Sequence, residues 1–150
     1  YLETIRGTVY RQTLFAEFEK KIYARSEAGQ SMTNEDFNAL WLELNKKYYG
    51  PEMEVDDLIG LEWARIPHFY YNFYVYKYVT GFAAATCLAQ NVIAGDQEAT
   101  GRYLQFLKSG GSDYPLNILQ TAGVDMTQPQ PLVTTLEVFS KLLAELEQLL

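Results

Sequence analysis

The sequence has few of the residues that bind transition metals or form covalent crosslinks. Its 150 residues include one cysteine, Cys87, and one histidine, His68. A lone cysteine cannot form a disulfide within the chain, and a zinc site needs three or four protein ligands, mostly Cys and His. We therefore expect no metal bound by this chain alone, so that any metal chemistry would need residues from outside it.

Basic residues are also scarce. The 12 Lys and Arg residues are outnumbered by 19 Asp and Glu residues, which gives a formal net charge of −7. This balance argues against nucleic acid and anionic membrane surfaces as partners, because both attract positive charge. The longest stretch without charge, residues 78–95, is interrupted by polar side chains such as Thr80, Thr86 and Gln90. It predicts a buried helix rather than a membrane span.

The start of the chain shows neither an initiator methionine nor the basic and apolar regions of a signal peptide. We interpret the chain, which opens on Tyr1, as a piece of a longer protein.

Apolar and aromatic residues are plentiful, at 48% and 15% of the sequence. Apolar residues recur at spacings of three and four with no convincing alternation, which is typical of amphipathic helices and not of strands. We predict an all-α fold with six or seven helices, over residues 2–27, 34–49, 55–66, 68–94, 97–107, 113–123 and 132–150.

Several helix ends are marked by residues that favour them. Thr33 and Asp96 are expected to cap the N-termini of the second and fourth long helices, and Ser112 or Asp113 that of a short helix. Pro67 disfavours a helical conformation at the residue before it and suits the first turn of a new helix. We therefore expect the third long helix to start at about His68.

The most informative segment follows His68, because seven of the next ten residues are aromatic. At about 100° per residue, four residues fall within roughly 120° of one helical face. These four residues, the donor set, carry one imidazole and three phenols: His68, Tyr71, Tyr74 and Tyr78.

Phenol and imidazole groups are donors that an active site can use to hold a peptide carbonyl or to stabilise an oxyanion. The alternative is a structural role, in which each tyrosine packs its ring and satisfies its hydroxyl with neighbouring backbone. Burying four polar groups on one face requires four hydrogen-bonding partners, whereas a hydrated cleft removes that requirement. Both interpretations remain open from the spacing alone.

Other polar candidates have simpler explanations. Asp56, Asp57 and Glu62 lie near the start of a short predicted helix, where carboxylates usually act as caps or dipole partners. The pair Gly110 and Gly111 lacks the lysine and the preceding strand of a phosphate-binding loop. We interpret these glycines as a hinge or a turn that contacts substrate.

Three segments of the chain resemble a known family. Residues 6–19 (RGTVYRQTLFAEFE), 60–76 (GLEWARIPHFYYNFYVY) and 106–115 (FLKSGGSDYP) resemble the C-terminal part of the oligoendopeptidase F family, which belongs to the thimet-oligopeptidase-like zinc peptidases. The resemblance covers essentially the whole chain in the expected order.

The resemblance implies a zinc endopeptidase that cleaves short peptides inside a deep cleft of a mostly helical, zincin-type catalytic domain. Zinc would be bound in the intact enzyme by a His-Glu-x-x-His helix and a further Glu, which this chain lacks and which would precede Tyr1. Residues 1–150 would form one all-helical C-terminal portion of that domain. Such a portion would be cytoplasmic and inactive alone, would have the N-terminal portion and an oligopeptide as partners, and could self-associate.

The resemblance also assigns roles to residues. His68, Tyr71 and Tyr78 would be catalytic, binding the substrate carbonyl and stabilising the tetrahedral oxyanion, and Tyr74 would bind substrate or replace Tyr78 as the second catalytic tyrosine. Gly110 and Gly111 would contact substrate, although the family more often has serine at the second position. The alternative is a non-catalytic helical module in which the aromatic face binds a peptide or a partner helix.

Overall fold

The computed structural model describes residues 1–150 and is entirely helical. Short 3₁₀ segments occupy Asp57–Arg65 and Pro67–Tyr70, and a π-helical turn occupies Arg6–Tyr10. The seven α-helices are α1 (Leu2–Ile5), α2 (Arg11–Glu27), α3 (Asn34–Tyr49), α4 (Tyr76–Ile93), α5 (Gln97–Ser109), α6 (Pro115–Thr121) and α7 (Gln130–Glu147). This confirms the predicted all-α class. None of the helices combines the length with the hydropathy that a membrane-spanning helix needs.

The chain divides into two compact units, Glu3–Val79 and Tyr1–Leu2 together with Thr80–Leu150. The first unit is organised around an aromatic core between α2 and α3. The Phe18 ring, which is completely buried, lies 4.9 Å from Trp41 and 5.1 Å from Phe69 between ring centroids. Phe69 also lies 5.4 Å from Phe15. The segment that follows Pro67 is thus anchored in this core by its second residue.

The helices of the first unit start and end close to the predicted positions. The predicted helix over residues 2–27 is confirmed, with the π-helical turn as a local irregularity. Thr33 caps α3 as predicted: its side chain accepts a hydrogen bond from the Asp36 backbone N–H, and the Asp36 carboxylate accepts one from the Thr33 N–H. Such a reciprocal capping box fixes the start of a helix.

The second unit packs α4, α5 and α6 around a small core of Ala84, Leu88, Ala122 and Val124. Asp96 caps α5 as predicted, accepting a hydrogen bond from the backbone N–H of Ala99. The predicted cap of α6 by Ser112 or Asp113 is wrong, because the N-cap is Tyr114 and no side-chain hydrogen bond caps the helix. Asp113 instead accepts hydrogen bonds from the Asn117 side chain.

The predicted helix over residues 68–94 is wrong in its first third. His68 lies in a 3₁₀ turn, and α4 starts only at Tyr76. Between them, Asn72 and Phe73 adopt left-handed backbone conformations, with φ of 49° and 54°. Two such residues in succession end any right-handed helix.

Candidate functional site

The donor set comes together at one surface of the first unit, although its members do not share a helix. The His68 ring stacks on Tyr74 with 5.7 Å between centroids, and it meets the edge of Tyr78 at 6.0 Å. Tyr74 and Tyr78 lie 5.6 Å apart, and Tyr71 lies 6.4 Å from His68. The predicted proximity of the four rings is confirmed, whereas the helical arc from which it was inferred is wrong.

Buried neighbours hold the donor set at the surface. Phe69, Val75 and Val79 are buried, and each is next in sequence to a donor residue. Tyr71, Tyr74 and Tyr78 are exposed, from 37% to 62% of their full area. The apolar side chains are thus anchored in the protein while the phenol groups stay accessible to solvent or to a ligand.

Two side chains of α2 explain why the segment leaves the helix. In a continuous helix the Phe73 N–H would donate to the Phe69 carbonyl four residues earlier. Instead the Phe73 N–H donates to Glu19 Oε1 at 2.6 Å, and the Phe69 carbonyl accepts a hydrogen bond from the Tyr23 hydroxyl at 3.4 Å. Glu19 and Tyr23 therefore supply the hydrogen-bonding partners that Phe69 and Phe73 would be for each other in a helix. The chain turns between Phe69 and Phe73 instead.

The neighbours of Tyr78 favour the neutral form of its phenol. A hydrogen bond with Tyr74 is the main cause that raises the pKa of Tyr78, with smaller contributions from burial and from the Tyr74 charge. A raised pKa keeps the phenol protonated at neutral pH. The Lys77 ammonium lies 5.3 Å from the centroid of the Tyr74 ring, a cation–π distance that keeps a positive charge beside the set.

This arrangement can bind an oxygen atom that carries or gains negative charge. Three hydroxyls and an imidazole N–H are hydrogen-bond donors. Donors fixed before the reaction stabilise an oxyanion without having to reorganise as its charge develops.

Comparison with known proteins identifies the family. The model of peptidase family M3 matches residues 1–138. The chain belongs to peptidase family M3. It is 49% identical over 149 residues to oligopeptidase PepF of Bacillus subtilis and 52% identical over 149 residues to group B oligopeptidase PepB of Streptococcus agalactiae. Each alignment covers 99% of this chain but only 22% and 25% of these relatives, so the chain spans about a quarter of their length.

A solved structure supports the same relationship. The crystal structure of oligoendopeptidase-F from Enterococcus faecium matches 99% of this M3 chain with a TM-score of 0.96 and 48% sequence identity. The match covers 29% of that protein. The chain thus has the fold of one part of a larger oligoendopeptidase.

The other candidate carboxylates, Asp56, Asp57 and Glu62, have structural partners, and that of Asp57 is the Lys46 ammonium. Glu62 Oε1 accepts hydrogen bonds from Arg11 at 2.7 Å and from Arg65 at 2.6 Å. Asp56 accepts a hydrogen bond from the Leu58 backbone N–H at the start of a 3₁₀ segment. The Asp56 contact is the capping role expected from the sequence, whereas Glu62 forms ion pairs with two arginines instead of a cap. Both contacts favour a structural role over an acid or base role.

The two glycines lie in the second unit, at the end of α5. Gly110 has a φ of 53°, and the Ser112 N–H donates to the Ser109 carbonyl across the turn. A side chain added at Gly110 or Gly111 would meet no atom within 4 Å, although the positive φ at Gly110 would strain it. The glycines therefore form an open, tight turn, and their contact with substrate stays a prediction.

The residues of this M3 chain do not form a metal site. No three His, Cys, Asp or Glu side chains come close enough together to hold a metal ion. His68, the one imidazole, is surrounded by the rings of Tyr71, Tyr74 and Tyr78 rather than by carboxylates. No group of residues in this chain therefore fits the zinc that the family resemblance implies.

Glu19 and Tyr23 were missed as members of the site. A signal for Glu19 is present in the sequence, because it lies four residues after Phe15 and three before Ile22, on the apolar face of the helix. A charged residue in the middle of an apolar face needs a specific partner. Here that partner is the Phe73 N–H.

Proposed function

We propose that this chain is the C-terminal part of a zinc metallo-oligopeptidase that hydrolyses short peptides, and that the donor set forms the cleft wall that binds the scissile carbonyl. The observation that carries the proposal is the convergence of His68, Tyr74 and Tyr78, with centroids 5.6 to 6.0 Å apart, on the surface of a chain from peptidase family M3.

The proposed chemistry of this chain is electrostatic. Attack on a peptide bond converts its carbonyl oxygen into an oxyanion, and hydrogen bonds from His68, Tyr71 or Tyr78 would strengthen as that charge develops. Interactions that are stronger in the transition state than in the bound substrate are those that raise kcat. Tyr74 would hold the substrate backbone, and the turn at Gly110 would add a contact to the peptide.

The remainder of the active site would come from the rest of the enzyme. Zinc and the base that activates water would be held by the N-terminal portion, because this chain has no group of residues to hold a metal. Both compact units would belong to one catalytic domain of a cytoplasmic enzyme. The chain alone would be inactive, and exposed apolar residues such as Leu132, Leu136 and Leu143 on α7 would favour its self-association or its contact with the missing portion.

Reconstitution of the enzyme from two pieces tests the proposal. The chain is mixed with the separately expressed N-terminal portion and zinc, and cleavage of a fluorogenic peptide is followed. We expect activity that needs both pieces and is lost in His68→Ala. If the pieces associate and bind zinc but cleave nothing, the chain is better described as a helical binding module, and the assignment of the donor set is withdrawn.

A further inference from the structure

Glu19 is a buried acidic residue that has no part in the proposed stabilisation of the oxyanion. We propose that Glu19 is a positioning residue: by accepting the Phe73 N–H hydrogen bond it holds the turn that stacks Tyr74 on His68. The inference rests on the proposed function of the donor set, because Glu19 itself would touch neither substrate nor reacting atoms.

The contact is short, buried and directed at the backbone. Glu19 is 1% exposed, and its Oε1 lies 2.6 Å from the Phe73 nitrogen. Because the bond goes to the main chain and not to a side chain, it fixes the course of the segment whatever side chain occupies position 73. It therefore acts on the backbone between Tyr71 and Tyr74, at the centre of the donor set.

The turn that Glu19 holds is strained. Asn72 and Phe73 both have positive φ, a region that non-glycine residues rarely adopt and that bulky residues such as phenylalanine avoid. Such conformations persist only where surrounding contacts impose them. Here the contacts are the Glu19 hydrogen bond and the packing of the Phe73 ring on Tyr23, with 4.7 Å between centroids.

Glu19 and Tyr23 act as a pair from one face of α2. They lie four residues apart, so their side chains are neighbours on that face. Glu19 takes the donor and Tyr23 the acceptor of the hydrogen bond that would otherwise continue the helix from Phe69 to Phe73. Without Glu19 the Phe73 N–H loses its partner, and the turn loses a contact that holds it in place.

A purely structural role explains a buried carboxyl poorly. Glu19 is buried beside the aromatic core and forms no ion pair with a basic side chain, so its charge is unfavourable for folding. A well-packed apolar residue would serve the core at least as well. The Glu19 carboxylate is unfavourable for folding, and it binds a strained turn in the candidate site. We therefore expect its role to be functional.

The test uses the full-length enzyme that contains this chain and compares three variants. Glu19→Met keeps the length of the side chain but removes the acceptor, and Glu19→Gln keeps an oxygen that can accept from the Phe73 N–H. Glu17→Gln is the matched control on the same helix, because Glu17 contacts Lys47 and Tyr48 rather than the turn. The measurements are kcat, KM, melting temperature and amide hydrogen exchange over residues 69–75.

We expect Glu19→Met to lower kcat about 10- to 100-fold with little change in KM, as a small displacement of catalytic groups does. Hydrogen exchange over residues 69–75 should become faster, while the melting temperature stays near that of the wild type. Glu19→Gln should recover most of the lost kcat and the protection from exchange, and Glu17→Gln should change neither.

The inference is overturned if folded Glu19→Met keeps its kcat and its exchange protection, or if Glu17→Gln lowers kcat as much. His68→Ala, measured in parallel, separates this result from failure of the proposed function. If His68→Ala is fully active, the role of the donor set is wrong and Glu19 has no site to position. If His68→Ala is inactive and Glu19→Met is not, only the role of Glu19 is wrong.

Discussion

Replacing Tyr78 with phenylalanine removes one donor from the proposed oxyanion site and keeps the packing of its ring. Tyr78 is 39% exposed, so its hydroxyl contributes little to folding, and the change in stability should stay within about 0.5 kcal/mol. The substitution removes the hydrogen bond with Tyr74, but the ring contacts with His68 and Tyr74, at 6.0 and 5.6 Å, do not involve the hydroxyl and should persist. Loss of one oxyanion donor costs about 2.7–4 kcal/mol of transition-state stabilisation, or roughly 10²–10³ in kcat.

The assay is hydrolysis of a fluorogenic peptide by the full-length enzyme at saturating substrate, with zinc content and melting temperature measured on the same samples. We expect kcat to fall by the stated factor while KM, zinc content and melting temperature are retained. Tyr70→Phe is the matched control, because Tyr70 lies in the same segment but its hydroxyl donates to the Ala64 carbonyl. A wild-type kcat in Tyr78→Phe would refute the role of this phenol.

Three further predictions concern the scaffold of the site, each measured in the full-length enzyme. Burial raises the pKa of Glu19 above its ordinary 4.5, so the folded state binds a proton at Glu19 more tightly than the unfolded state does. The protonated carboxyl therefore contributes to the free energy of unfolding at low pH, and this contribution is lost as pH rises through the raised pKa. The melting temperature of Glu19→Gln relative to the wild type should therefore increase as pH rises above 4.5, and a constant difference would contradict the shift. Phe18→Ala should lower the free energy of unfolding by about 3–5 kcal/mol, seen as a large drop in melting temperature, because the ring is fully buried against Trp41 and Phe69. Glu62→Ala should cost about 1.5–3 kcal/mol by removing the hydrogen bonds that Arg11 and Arg65 donate, yet keep the kcat of the folded enzyme; loss of kcat would indicate a catalytic carboxylate instead.

The parts of the fold that could be predicted from the sequence are those set by local interactions. The capping box at Thr33 and the cap at Asp96 involve residues three apart, so their sequence spacing nearly determines their geometry. The apolar periodicity of α2 and α3 reports the face that each helix buries. These signals were sufficient for the all-α class and for most helix ends.

The segment from His68 to Tyr76 could not be predicted in the same way. Its local pattern is compatible with a helix, and the contact that breaks the helix comes from Glu19, 54 residues before Phe73 in the chain. Helix prediction from neighbouring residues cannot include a contact so distant in sequence. The proximity of the donor residues was nevertheless anticipated correctly, because a 3₁₀ turn followed by a left-handed turn brings the same residues together by a different path.

The proposed role of the donor set is to bind the oxyanion of the scissile peptide bond. The most direct measurement is a crystal structure of the full-length enzyme with a phosphinic peptide, whose tetrahedral phosphinate imitates the geometry and charge of the reacting carbon. We expect a phosphinate oxygen within about 2.7–3.1 Å of the Tyr78 hydroxyl or a His68 ring nitrogen. A bound phosphinate with no oxygen in hydrogen-bonding contact with any donor residue would contradict it.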